Sequence, residues 1–161
     1  MTGLFIVIIL KIDYSSEEYI SIRNKFQEEY DNINCETPIK KEIINSIHKE
    51  TPLFFYIELE SSDTGTMAGY CMFLIWTIVI NNTLPIDNYA KALMHERLHL
   101  YYYTGCERFI QYQTFKHLYE SKNEYLHKLG LQIALEIMDF EYPDSYDCTG
   151  QIINYILEKG G

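Results

Sequence analysis

The sequence predicts an α+β fold: a small antiparallel or mixed sheet with helices packed on one side, in a single domain over residues 1–161. Three observations carry that expectation. Apolar residues recur at helical spacing along much of the chain. β-branched and aromatic runs concentrate before residue 82. A strand-like run then leads straight into a helix bearing an H-E-x-x-H motif. With 47% hydrophobic and 22% charged residues, the balance is that of an ordinary globular domain with room for a core.

Gly3-Leu4-Phe5-Ile6-Val7-Ile8-Ile9-Leu10 reads as a buried strand; no basic run precedes it and no small-residue cleavage site follows, so a signal peptide is not expected. Residues 15–32 read as a helix. Tyr19, Ile20, Ile22 and Phe26 share helical spacing, Ser15 or Ser16 caps it, and Glu17-Glu18 suits the positive end of the dipole. Thr37-Pro38 opens a second helix over 39–49, with proline near its first position. A strand is expected over 53–60, a turn at Ser61-Ser62-Asp63-Thr64-Gly65, and a second strand region over 67–81 that bends near Trp76. These two strands are expected to pair as an antiparallel hairpin. The apolar run 67–80 falls short of the roughly 20 residues needed to span a bilayer, so no membrane segment is expected. Pro85 precedes the next helix, with Asp87 or Asn88 as its cap, and Thr104-Gly105 ends it, glycine taking the left-handed conformation. Helices over 107–119, 124–140 and 148–159 complete the chain, the last two separated by a break at Glu141-Tyr142-Pro143-Asp144.

His95-Glu96-Arg97-Leu98-His99 carries the chemistry. Helical positions four apart share a face, so His95 and His99 can offer two imidazoles to one ion. Glu96, turned about 100° away, can hold a water on that ion without becoming a ligand. Zinc takes neutral nitrogen ligands at roughly 2.0–2.1 Å and, in catalytic sites, leaves a position open. The pattern predicts a Zn2+-dependent hydrolase in which Glu96 is the catalytic general base for the zinc-bound water.

Thr77-Ile78-Val79-Ile80-Asn81-Asn82-Thr83-Leu84-Pro85, followed by the H-E-x-x-H helix, resembles the ImmA/IrrE type of compact zinc metallopeptidase. The resemblance covers residues 75–118, about a quarter of the chain, and only the H-E-x-x-H part is highly specific. It implies a minimal, gluzincin-like zincin: two His ligands, a catalytic Glu, and a third ligand that is a Glu on the next helix. It also implies cleavage of a repressor-type regulator, in a phage, mobile-element or stress-response setting.

Two residues stand open as that third ligand. If the chain reverses at Gly105, a side chain within a turn of the reversal comes level with His99, and Glu107 meets that condition. The run Arg108-Phe109-Ile110-Gln111-Tyr112-Gln113-Thr114-Phe115 lacks the alanine that family members place after their ligand, so His117 stands as the alternative. Tyr102, seven residues after His95 on the same face, is the candidate transition-state helper among 15 tyrosines.

The remaining signals narrow the class. A net charge of −10 argues against nonspecific nucleic-acid binding and suits a basic protein partner or substrate, such as a DNA-binding regulator. Cys35, Cys71, Cys106 and Cys148 have no C-x-x-C spacing and fit reduced thiols of a cytoplasmic protein. No nucleotide-binding glycine loop and no G-x-S-x-G elbow occurs. Two functions therefore stand: a zinc peptidase with a narrow protein substrate, and a non-catalytic metal-binding module that acts by binding a partner.

Overall fold

A computed structural model describes residues 16–140 and 146–160. The expected strand over 3–10 and the break at 141–144 lie outside them. The described chain is α+β: helices α1 (Glu17–Asn32) and α2 (Lys40–Glu50), strands β1 (Ile57–Ser61), β2 (Gly69–Met72) and β3 (Thr77–Asn81), then helices α3 (Ile86–Tyr102), α4 (Glu107–Tyr119), α5 (Glu124–Asp139) and α6 (Thr149–Gly160). No helix among these residues is long and apolar enough to cross a membrane.

The first helix follows its sequence signals. Ser16 accepts a hydrogen bond from the Tyr19 amide at 3.2 Å, and Tyr19, Ile22 and Phe26 form the buried stripe. In α2 the cap is Ile39 and the helix begins at Lys40, so Pro38 stands just outside rather than at the first helical position. Neither Asp87 nor Asn88 caps α3: Pro85 occupies that place without a side-chain bond, and Asp87 is taken up by the Tyr125 hydroxyl.

The sheet corrects the predicted hairpin. β3 is central, parallel to β1 (Ile57 opposite Thr77) and antiparallel to β2 (Gly69 opposite Ile80), so the sheet is mixed and β1 never touches β2. The reason lies in composition. Thr77, Ile78, Val79 and Ile80 are all buried, which only a strand covered on both faces achieves. β1 alternates, with Glu58 and Glu60 toward the helices: Glu58 meets Arg97 of α3 and His48 of α2, while Glu60 meets Tyr89 and Lys40. Ile57 and Leu59 are left about half-exposed on the opposite face. The bend comes at Trp76, left-handed at φ 47°, after a single 3-10 turn at Phe73–Ile75.

Behind the sheet, α3 lies against β2, β3, α2 and α4, and α4 lies closely on α5. Gly130 permits that last approach, since a Cβ there would stand 2.5 Å from the Tyr119 amide nitrogen. On the back of α3, Arg97 is 1% exposed and fully engaged. Its guanidinium donates to Thr51 Oγ1 (2.9 Å), the Thr51 carbonyl (2.6 Å) and Glu58 Oε1 (3.0 Å), and lies 4.8 Å from the Tyr56 ring centroid. One side of the motif's helix is thereby locked to the sheet while the other faces a cleft.

Candidate metal centre

α3 presents His95 and His99 one turn apart on its cleft-facing side, and α4 begins with Glu107 directly opposite. The reversal between them is made by Tyr103, left-handed at φ 51°, rather than by Gly105, whose φ is not positive. Tyr103 and Thr104 turn their amides back to carbonyls of the last helical turn, satisfying the helix end.

Three residues bring ligand atoms together at this turn. His95 Nε2 lies 2.9 Å from Glu107 Oε2, His99 Nε2 lies 3.1 Å from Glu107 Oε1, and the two ring nitrogens are 3.2 Å apart. Ligands about 2.0–2.1 Å from a tetrahedral ion stand roughly 3.3–3.4 Å from one another, so each imidazole stands near one ligand spacing from its own Glu107 oxygen and from the other imidazole.

The outer bonds fix which nitrogens face inward. His99 Nδ1 lies 2.8 Å from the Thr104 carbonyl, which can only accept, so Nδ1 carries the proton and Nε2 presents its lone pair in the neutral ring. Thr114 Oγ1 donates to the Ile110 carbonyl at 2.7 Å and keeps a lone pair toward His95 Nδ1 at 3.5 Å. Two lone pairs and a carboxylate therefore meet at one point, and such a set needs a shared proton or a cation. His95, His99 and Glu107 could hold a metal ion. Without one, a ring proton of His95 serves Glu107, and that hydrogen bond holds the Glu107 carboxyl below its ordinary value.

The centre forms part of the wall of a cleft of about 690 Å³, bounded by β2 on one side and by α4 and α5 on the other. Glu96 reaches into it beside the centre. Burial, with the charge of Glu107, pushes its carboxyl up, against the opposing pull of His95 and His99. Gly69 admits Glu96 at the strand: a Cβ there would stand 2.8 Å from the Val79 carbonyl and 3.4 Å from Glu96 Cγ. Cys71 lines the same cleft, its thiol pushed up to about 12 by burial and then by Glu96, and it stands outside the His95, His99 and Glu107 group.

Two residues singled out from the sequence lie elsewhere. His117 Nε2 lies 2.8 Å from the Tyr102 hydroxyl, whose proton goes to Gln113 Oε1, and His117 lines a separate depression with Glu50 and Ser121. Burial lowers its affinity for a proton. Tyr102 spends its hydroxyl on His117 and on Gln113 (3.1 Å) and packs on Phe109, two turns past His95. It has the right helical face but the wrong height, since seven residues carry it about 10 Å along the axis. Two phenols line the cleft with His95, His99 and Glu107, those of Tyr70 and Tyr146, and that of Tyr146 is raised by the charge of Glu107 and then by burial and Glu96. Sequence reasoning missed Tyr146, Thr114, Thr104 and Arg97. Only Thr114 carried a local signal, standing seven residues after Glu107 on one face of α4.

No protein-family model matches the chain, and neither a curated protein nor a solved structure is similar to it. The chemistry of the centre is argued from its own atoms.

Proposed function

We propose that the chain is a zinc-dependent peptidase of the ImmA/IrrE kind, cytoplasmic and narrow in its protein substrate. The observation that carries the reading is the convergence of His95 Nε2, His99 Nε2 and the Glu107 carboxylate within about one ligand spacing, beside the Glu96 carboxyl, which has no hydrogen bond among the described residues. A zinc ion held by His95, His99 and Glu107 would lower the pKa of a bound water to about 7 and would polarise a carbonyl. The chain's own groups do the rest. Thr104 and Thr114 hold the imidazoles in the inward-facing tautomer. Glu96, its proton affinity raised by burial, takes the proton from the attacking water and delivers it to the departing amine. β2, an edge strand lining the cleft, offers backbone groups to an extended peptide. The net charge of −10 favours a basic partner.

Metal content of protein purified without chelator tests the reading, by plasma mass spectrometry. About one zinc per chain is expected, lost in His99→Ala and Glu107→Ala and kept in His117→Ala. A wild type that takes up no metal even after zinc is added back refutes it.

A second reading is a metal-binding interaction module. An exposed apolar patch favours it: Phe55 is 98% and Leu74 97% exposed, near Trp76, which stacks on Tyr103 at the end of α3. Glu96→Gln separates the two, abolishing hydrolysis while leaving metal and partner binding intact.

A further inference from the structure

The first candidate for oxyanion stabilisation, Tyr102, is spent on His117 and Gln113, so the developing charge on a substrate carbonyl needs another donor. Peptide hydrolysis places negative charge on that oxygen, and a fixed donor close to the metal strengthens in the transition state. Most polar groups at the centre are committed. His95, His99 and Glu107 face one another, Thr104 and Thr114 orient the imidazoles, and Glu96 is needed as the base. Lys91, one turn before His95 in the same cleft, is paired with Glu136 at 3.1 Å.

Tyr146 is not committed. Its hydroxyl has no hydrogen-bond partner among the described residues, and its ring lines the cleft together with His95, Glu96, His99 and Glu107. It precedes α6 in the chain and lines the same cleft as β2, along which an extended substrate would lie. Glu107 and Glu96 are also the two carboxylates that act on the phenol, placing it within their electrostatic reach.

We propose that Tyr146 is a catalytic residue of the metal centre, its phenol O–H donating a hydrogen bond to the oxygen of the scissile carbonyl as that oxygen becomes an oxyanion. The phenol keeps its proton throughout, so no further group need exchange with it. This inference rests on the metal-peptidase reading and takes it one residue further.

Acetohydroxamate tests it without a known substrate, because on a zinc ion it would chelate with its carbonyl oxygen where the substrate oxygen would stand. Its affinity for the zinc-loaded full chain is measured by calorimetry for wild type, Tyr146→Phe, Tyr70→Phe and Tyr102→Phe, with zinc content and melting temperature recorded for each. Tyr146→Phe is expected to bind about ten- to hundredfold more weakly with one zinc retained, the effect of losing a hydrogen bond to a charged acceptor. Tyr102→Phe is expected within twofold of wild type. Unchanged affinity in Tyr146→Phe overturns the proposal, as does a loss confined to Tyr70→Phe, the other phenol that lines the cleft. Loss of zinc from Tyr146→Phe also overturns it, since a donor to substrate does not hold the ion. As the side chain is 38% exposed, the variant is expected to fold, and the melting temperature checks this. A wild type that binds no zinc defeats the metal reading itself, and this inference with it. Zinc binding with unaltered hydroxamate affinity defeats the inference alone.

Discussion

Replacing Arg97 with methionine keeps the length of the side chain and removes its guanidinium, and the structure sets the size of the result. Three hydrogen bonds and the approach to Tyr56 disappear. Thr51 Oγ1 is not stranded, because it still donates to the Ile47 carbonyl at 2.7 Å. The Thr51 carbonyl, in a residue that is 0% exposed, loses its donor, an omission worth about 1–3 kcal/mol. Glu58 keeps His48 at 2.8 Å and has a side chain 19% exposed, so its stranded charge is partly relieved. Breaking a buried pair costs about 3–5 kcal/mol, and this relief puts the expectation near 3 kcal/mol. For a chain of this size that is about 6–12 °C in melting temperature. Urea and thermal unfolding of wild type and Arg97→Met measure it, and Arg97→Met with Glu58→Leu completes the cycle. The double variant is expected to recover at least about 1 kcal/mol, because the carboxylate stranded by the loss of Arg97 is gone and His48, 34% exposed, can turn to water. A loss below about 1 kcal/mol in the single variant, or no recovery in the double, would refute the idea that this buried arginine ties the motif's helix to the sheet.

Zinc at a hundredfold its dissociation constant should stabilise the fold by about 2.7 kcal/mol, read as a higher melting temperature in wild type and no rise in Glu107→Ala; an equal rise in both would remove Glu107 from the centre. The same uptake should weaken as pH falls, because the ion displaces the proton shared by His95 and Glu107, and competition binding at two pH values detects it. Gly130→Ala should destabilise by about 1–2 kcal/mol, since overpacking of the α4–α5 approach outweighs the gain in helix propensity, and chemical denaturation that shows stabilisation would contradict that balance. Asp139, held below its ordinary value first by its hydrogen bond from Arg23, should contribute above the unfolded carboxylate range and lose the contribution as pH falls through its depressed folded value. With side chains 31% and 36% exposed the pair is screened, so the unfolding free energies of wild type and Arg23→Met from urea titration should differ by less than about 1 kcal/mol at pH 7 and converge in acid.

Much of the secondary structure was legible because its causes are local. The Ser16 cap, the stripe of Tyr19, Ile22 and Phe26, and the four-residue spacing of His95 and His99 depend only on neighbours within a turn or two. Glu107 was legible for a related reason: a short reversal between helices leaves little freedom in where the next turn lands. The hairpin was misread because strand pairing is not a neighbour effect. A turn between two apolar runs predicts adjacent strands, whereas the chain gives the central place to the run that is apolar on both faces and moves β1 to its far side. The reversal residue was misread for a different reason. Glycine's tolerance of positive φ shows where a turn is cheap, but Tyr103 adopts φ 51° with its ring against Phe73 and Trp76, and ring contacts of that kind offset backbone strain.

By itself the sequence determined the helices, the apolar central strand and the three residues of the H-E-x-x-H motif, since periodicity and spacing are properties of the chain alone. Only the tertiary structure brought Glu107, and not His117, to the two imidazoles, turned Tyr102 toward Gln113 and His117, and showed what Thr104, Thr114 and Arg97 touch. The physical reason is distance. A carboxylate, a carbonyl and a phenol act on an ion or a ring only within a few ångströms, and which groups come that close is set by how helices and strands from separate parts of the chain lie on one another.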